Sequence, residues 1–552
     1  MRRLLWTLVG FALASVLYFV LFAPPQPLRV DASAWTELAT RTVPGAYHIH
    51  TTRSDGHGDR HAVAAAAARA GLKFIILTDH GDGTRPPDPP EYIDGVLVLD
   101  GVEISTDDGH FVAIDMPRAP YPLGGAGEAV AEDVARLGGF GIAAHPDSPK
   151  PLLRWTPENV PLDGIEWLNL DSEWRDETRG HLIKAGLGYF LRPGPALATI
   201  LDRPVTLARW DKMTKTHRVV ALAAADAHGG AGVRPEDPSR NLFNTIGIPS
   251  YEASFRAFSN SVVLDRPLSG KADQDGRAIY GAIRKGSVFS VVNGLATPAL
   301  LDFHVESVLR TTPMGDGMDS DSDVTIVARA PMPSSAQMVL VKDGKILARS
   351  TDELRRPLNA AEGAYHVEIW LASAPGTPPV PWVVSNPIYF GPTPRSRLPL
   401  PPPLKVATPI APFPWRIEKD SASSAVLRTS DHDATLEYQL ADGSRGTQFV
   451  ALATDLHNPA FKSIDLGLAV DRPSRVSIQV RRQNGDRWGR SFYVDPKGTS
   501  LDVPLSSLEP IGDGDGRAPV SELTSLLLVI DLTNAVPGHA GTLRVLSSAL
   551  GK

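Results

Sequence analysis

The chain has 552 residues, 42% hydrophobic and 21% charged, with 55 Lys and Arg against 62 Asp and Glu, a formal net charge of −7. It contains no cysteine, which excludes a disulfide framework, thiolate zinc sites, iron–sulfur clusters and a thiol nucleophile, so any metal must be held by His and carboxylates. The length calls for several folded units of ~150 residues each, and the mild acidity disfavours a chain that coats nucleic acid by neutralising phosphates.

Arg2 and Arg3 precede an uncharged run from Leu4 to Ala23, long enough at about 1.5 Å per residue to cross a hydrocarbon core of about 30 Å. This predicts an uncleaved membrane anchor over residues 1–25, with the bulk of the chain on the periplasmic or extracellular side. A cleaved signal peptide is the alternative, disfavoured because Leu21-Phe22-Ala23 runs straight into Pro24-Pro25. Residues 40–298 alternate short apolar runs with Ala-rich stretches of helical spacing, such as Ala62 to Ala70 and Glu128 to Leu137, and read as α/β. Residues 299–391 change to brief alternating segments, for example Val324 to Ala328 and Met338 to Lys342, broken by Gly, Pro and Asp turns, and predict a small β-sandwich. The proline-dense residues 392–414 read as a linker, and 415–552 as a second, jelly-roll-like β-sandwich. In that last segment Trp415, Trp488 and Tyr493 are either a glycan platform or, as is commoner for such residues, core.

Ten of the fifteen histidines lie between His48 and His228. Many of them end or follow apolar runs: Gly45 to His50, Leu72 to His80, Gly141 to His145 and Val219 to His228, while Glu103 ends another and His110 opens the next. In a closed array of parallel βα units the C-terminal strand ends converge on one mouth, where such folds do chemistry. Neutral imidazoles supply nitrogen to divalent metals, and carboxylates supply oxygen, cancel charge and bridge ions. His48-x-His50 and Asp226-x-His228 are spaced at the strand period of two, which predicts that each pair shares a strand face.

His48-Ile49-His50-Thr51 with Ser54-Asp55-Gly56, Thr78-Asp79-His80, Gly101-Val102-Glu103, His145-Pro146 and Asp226-Ala227-His228 occur in the order found in the polymerase and histidinol phosphatase (PHP) superfamily of metallohydrolases, which this stretch resembles. Glu103 followed by Gly109-His110, Gly164-Ile165-Glu166, Leu207 to Asp211, Ala282 to Ser290 and Ser385 to Tyr389 are most similar to its exported, carbaryl-hydrolase-like branch. The resemblance implies a distorted seven-stranded (βα) barrel with a trinuclear site. His48, His50 and Asp226 would hold one ion, and Glu103 would bridge to a second ion bound by His110 and His145. Asp55, His80 and His228 would hold the third. The family uses zinc, manganese or iron. Gly81 follows His80 where many members have Asp or Asn, a departure at the third site.

The reaction expected from this set is hydrolysis of a small phosphoester by a hydroxide bridging two ions, in the manner of a phosphatase, phosphodiesterase or 5'-to-3' exonuclease-like enzyme. Glu103, Asp226 and His145 are the candidate catalytic residues, and Arg53, Glu166 and Arg240 the candidate substrate contacts. Hydrolysis of a carbamate, amide or carboxylic ester by the same site is the second reading. A non-catalytic cell-envelope binding protein with structural metals is the third.

Overall fold

The computed structural model describes residues 2–158, 160–230, 248–308, 310–318, 324–358, 362–391, 413–430, 433–456, 460–512 and 516–551. Arg240 and most of the proline-rich linker lie outside the described residues. The chain divides into two compact units. Met1–Gly81, Pro87–Pro117 and Gly138–Leu398 form the first, and Asp82–Pro86, Arg118–Leu137 and Pro399–Lys552 the second.

The first unit is α/β and is built on a curled mixed sheet. Its strands include β1 (Thr42–Tyr47), β2 (Phe74–Leu77), β3 (Val96–Thr106), β4 (Gly109–Ile114), β5 (Phe140–Ala143), β6 (Gly164–Asn169), β7 (Val220–Ala224), β8 (Ser259–Val263) and β9 (Val288–Val291). The order is β9-β8-β1-β2-β3-β4-β5-β6-β7. β1, β2 and β3 run parallel, as do β5, β6 and β7, while the β3–β4 hairpin and β8 are antiparallel to their neighbours. The chain leaving β7 then returns to β1: the Ala225 N–H donates to Tyr47 O (3.0 Å), Ala227 N–H to His48 O (3.2 Å) and His50 N–H to Ala227 O (3.0 Å). Two side-chain amides complete this seam. Asn260 accepts from Ala223 N–H and donates to its carbonyl, and Asn386 does the same at Ala221. They occupy ladder positions that would otherwise leave buried backbone groups unpaired.

Side chains alternate across this sheet as the strand period requires. Val43, Tyr47, Phe74, Ile76, Leu97 and Leu99 enter one core with Ile279 and Ile283 of helix Ala272–Lys285, while Ala46, Ile75, Leu77, Val96 and Val98 enter another beneath helix Arg60–Ala70. Gly45 is required in the first core, because a Cβ there would lie 2.3 Å from the Phe74 ring. In the second, Asp59 caps the helix by accepting the Ala62 N–H (2.8 Å), and its small residues Ala64 and Ala67 allow a close approach to the strands. β9 also pairs with Val383–Ser385, so the sheet continues into Gly363–Leu371 and Ala336–Lys342. Opposite these, Asp302–Glu306, Thr311–Pro313, Val324–Arg329 and Leu354–Leu358 form a four-stranded sheet over a core of Phe303, Ile326, Leu340 and Ile369.

The expected membrane anchor is corrected by the structure. Its residues do form a helix, α1 (Arg2–Phe22), but among the described residues no helix is long and apolar enough to cross a membrane. The placement of the chain beyond a membrane falls with it. Toward the end of α1 two side chains touch protein: the Tyr18 hydroxyl donates to Leu187 O, and the Arg192 guanidinium lies 5.5 Å from the Phe19 ring centre, while Leu17, Val20 and Leu21 stay exposed.

In the second unit, among the described residues, a six-stranded and a five-stranded antiparallel sheet enclose one apolar core. Trp415 and Trp488 belong to that core, and the Arg136 guanidinium lies 4.2 Å from the centre of the Tyr493 ring, so these three aromatics share no open platform. The helix Gly127–Arg136, whose sequence lies within the stretch read as barrel, belongs to this unit.

Candidate metal centre

The nine residues singled out as ligands arrive from the ends of six strands or the loops that follow, and the backbone does more to aim them than the pleat does. β1 stops at Tyr47, and His48 turns in the left-handed region (φ 62°), as do His145 after β5 (φ 28°) and Asp226 after β7 (φ 42°). A non-glycine residue held there costs about 1–3 kcal/mol, and such strain clusters at functional sites. Beyond β2, the Asp79 carboxylate accepts from Thr51 N–H (2.7 Å), Thr51 Oγ1 (2.8 Å) and Ser54 Oγ (2.7 Å), which ties down the loop carrying His50 and Asp55. Glu103 projects from β3. Across the hairpin, Gly109 (φ 106°) admits the backbone of Arg154, whose carbonyl oxygen would lie 2.2 Å from a Cβ, and His110 follows.

Glu103 is the hub. Its Oε1 lies 2.8 Å from His110 Nδ1 and 2.9 Å from His145 Nε2, and its Oε2 lies 3.3 Å from His48 Nε2, 3.2 Å from His50 Nε2 and 3.2 Å from His80 Nδ1. Asp226 Oδ1 is 3.6 Å from His48 Nε2 and 3.4 Å from His50 Nε2. Asp55 reaches His50 Nδ1 (3.4 Å), His80 Nε2 (3.6 Å) and His228 Nε2 (3.4 Å). Four triplets have ligand atoms within 4.8 Å of one another: His48, His50 and Asp226; His48, Glu103 and His145; His50, Asp55 and His228; and His50, His80 and Glu103.

These residues fit divalent ions on two counts. Metal–ligand bonds of about 2.1 Å put neighbouring ligand atoms about 3.0 Å apart on an octahedral edge and about 3.4 Å apart on a tetrahedral one, the spacing seen around Glu103. Four ligand atoms, His48 Nε2, His50 Nε2, His80 Nδ1 and Asp55 Oδ1, are buried without a hydrogen-bond partner. Buried polar atoms are rarely left so. The buried His, Asp and Glu clusters can therefore hold metal ions.

The electrostatics point the same way. Burial disfavours a charged His48, yet the Glu166, Asp226 and Glu103 carboxylates outweigh it and hold its pKa well above the usual histidine value. Burial likewise opposes protonation of His50, but Asp226 and Glu103 raise its pKa to about 10. Burial pushes Glu103 up, and the surrounding imidazoles, His48 and His80 foremost, bring it well below the ordinary carboxylate range. The site is a pocket of negative potential balanced by protons, and a cation would take the protons' place.

No family profile and no curated protein matches the chain. Among solved structures it is similar to the family 11 carbohydrate-binding module of the cellulosomal cellulase Lic26A-Cel5E of Clostridium thermocellum, at 12% identity and a TM-score of 0.22 over 26% of this chain and 93% of the module. It is also similar to PfGH50B, at 11% identity and a TM-score of 0.20, and to an exo-β-agarase, at 15% identity and a TM-score of 0.19. These cover 25% and 27% of this chain, but only 22% and 24% of those chains. At such TM-scores the likeness carries no functional argument.

All nine predicted ligands meet at the one centre. Of the substrate candidates, Arg53 and Glu166 are engaged elsewhere, and Arg240 lies outside the described residues. Arg53 is committed to Asp88 (2.7 Å) and Asp100 (3.5 Å), and Glu166 lies behind His48, 1% exposed. His57 Nδ1 lies 3.1 Å from His228 O, and His61 is exposed. Tyr47 is a residue that motif and spacing do not single out. Its hydroxyl donates to Glu166 Oε1 (2.7 Å), and its only signal in the sequence is its place immediately before His48 on an apolar strand.

Proposed function

We propose that the chain is a metal-dependent hydrolase of ester bonds, phosphoesters first, working through a trinuclear centre of the PHP type. The observation that carries the reading is the set of buried, unpartnered ligand atoms gathered at coordination spacing around Glu103. Divalent ions held by His48, His50, Asp226, Glu103, His110, His145, Asp55, His80 and His228 would polarise a substrate oxygen and lower the pKa of water at the reacting bond.

The chain's own residues give the site a direction. The His48 side chain is fully buried, whereas those of His228, Asp55 and His80 are 11%, 16% and 31% exposed, so substrate reaches the centre from the His80 side. Glu103 and Asp226, at the buried end, would hold the ions together and orient the reacting oxygen, while His145 closes the floor. The commitment of Arg53 to Asp88 and Asp100 leaves a dianion less well matched there and favours, as a second reading, an uncharged carbamate or carboxylic ester at the same centre.

The test is a screen of full-length protein, loaded with zinc, manganese or iron(II), on aryl phosphate mono- and diesters beside aryl carbamates and esters. Turnover of phosphoesters by protein retaining close to three ions supports the first reading, and turnover of carbamates or esters alone the second. Protein that binds ions but turns over nothing would place them in a structural role, and protein that binds none would remove the proposal.

A further inference from the structure

We infer that Glu166 is a positioning residue of the metal centre, a carboxylate that holds His48 and His145 directly, and Asp226 through Asn169, in conformations they would not otherwise keep. The inference rests on the metal reading above. Every contact of this carboxylate is with a donor of the site's wall. Oε1 accepts from the Tyr47 hydroxyl (2.7 Å) and lies 2.6 Å from His48 Nδ1, while Oε2 accepts from the His145 backbone N–H (2.7 Å) and from Asn169 Nδ2 (2.9 Å). Asn169 Nδ2 also reaches Asp226 Oδ2 (3.3 Å), and Asn169 Oδ1 accepts the Ser172 N–H (3.0 Å), which anchors the group to the start of the helix Leu170–Asp176.

The ligands reached in this way are His48, His145 and Asp226, the three that stand at positive φ. None of the other six predicted ligands does. Strain of this kind persists only where surrounding structure over-determines the conformation, and Glu166 with Asn169 is that structure. The contact with His48 has a second consequence. A carboxylate at Nδ1 takes the N–H there and leaves Nε2, buried and unpartnered, facing Glu103 and Asp226, as the atom a cation would take. Fully engaged and 1% exposed, Glu166 has no face to offer a substrate.

The experiment is a cobalt(II) titration of the full-length wild type, Glu166→Gln and His80→Ala, followed by visible absorption and by competition with a chelator. Gln keeps the size of the side chain but turns an amide N–H₂ toward donors. The expected result is that Glu166→Gln weakens one class of ion about 10–100-fold and changes its absorption bands, while the class that His80→Ala weakens is unchanged. Equal weakening of every ion, or an unchanged isotherm and spectrum, would overturn the inference. If Glu166→Gln does not fold, Tyr47→Phe, which removes one of the four contacts, carries the same test. A smaller shift in the same class supports the inference, and no shift overturns it. A wild type that holds no cobalt overturns this inference together with the proposed function, whereas wild-type binding with an indifferent Glu166→Gln overturns this inference alone.

Discussion

Two buried clusters of charge, one in each unit, are built on opposite plans. In the second unit the Arg475 side chain is 1% exposed and satisfied all round: it pairs with Asp133 through two bonds (2.7 and 2.9 Å), reaches Glu132 (3.1 Å), and donates to Ser491 O (2.8 Å) and Ala129 O (2.7 Å). In the first unit Glu103 is as deeply buried and lies against five imidazoles, yet ring nitrogens of His48, His50, His80 and His145 have no hydrogen-bond partner. A network whose hydrogen bonds are complete rigidifies a fold, and one left incomplete costs stability until something binds. The place where hydrogen-bond accounting fails to close is therefore where function is to be sought, and Arg475, though the more heavily bonded, belongs to architecture.

The sharpest break of this comparison is Arg475→Ala. It leaves Asp133 buried without its counter-charge and Glu132 with Arg490 alone (3.4 Å), and should cost about 3–5 kcal/mol in urea denaturation of the full chain. Arg475→Met combined with Asp133→Leu should lose less than Arg475→Met alone, because a buried pair replaced by apolar groups leaves fewer charges stranded. A loss below about 1 kcal/mol would show that the cluster is not the fastening described.

The metal centre should respond to what Arg475 ignores. Zinc or manganese at 100 times its dissociation constant should raise stability by about 2.7 kcal/mol, reversibly with a chelator. Glu103→Gln, which removes the hub, should abolish that increment, whereas Arg475→Ala should keep it on a lowered baseline. Denaturation curves that do not move on adding metal would place the two clusters in one class after all.

How much of this is legible in the sequence follows from the range of the interactions involved. Strand C-termini converge by the geometry of the sheet alone, so the positions of His80, Glu103 and His145 at the ends of apolar runs suffice to group them. The details of aim are not legible in this way. Period-two spacing suggests that His48 and His50 share a strand face, but β1 ends at Tyr47 and a left-handed turn at His48 sets the direction. The role of Asn386 in mending the β7 edge depends on a partner 165 residues along the chain. The same holds for Gly127–Arg136: its helical spacing is legible, but its unit is fixed by Arg475, more than 300 residues later. The uncharged run at the N-terminus reads as an anchor by its composition, which cannot reveal that Tyr18 reaches Leu187.

A third buried charge sharpens the comparison by having neither solution. Glu173 on the helix Leu170–Asp176 is 5% exposed, and its carboxylate accepts the Asp202 N–H (2.9 Å). Burial, opposed by that one bond and reinforced by the Asp202, Asp176 and Asp147 carboxylates that face it, raises its pKa from 4.5 to about 9. The folded state therefore holds this proton more tightly than the unfolded chain does. Its contribution to stability is complete below about pH 4.5, is lost as pH rises toward about 9, and changes no further above that. Glu173→Gln cannot ionise and keeps an oxygen for Asp202, so relative to the wild type the variant should gain on the order of 4 kcal/mol between pH 5 and pH 8.5. Stability curves that stay parallel from pH 5 to 9 would mean that Glu173 has found a counter-charge or water. A gap that opens with pH would mean that the chain buries this acid by keeping it neutral, a third answer beside the ion pair at Arg475 and the proposed cations at Glu103.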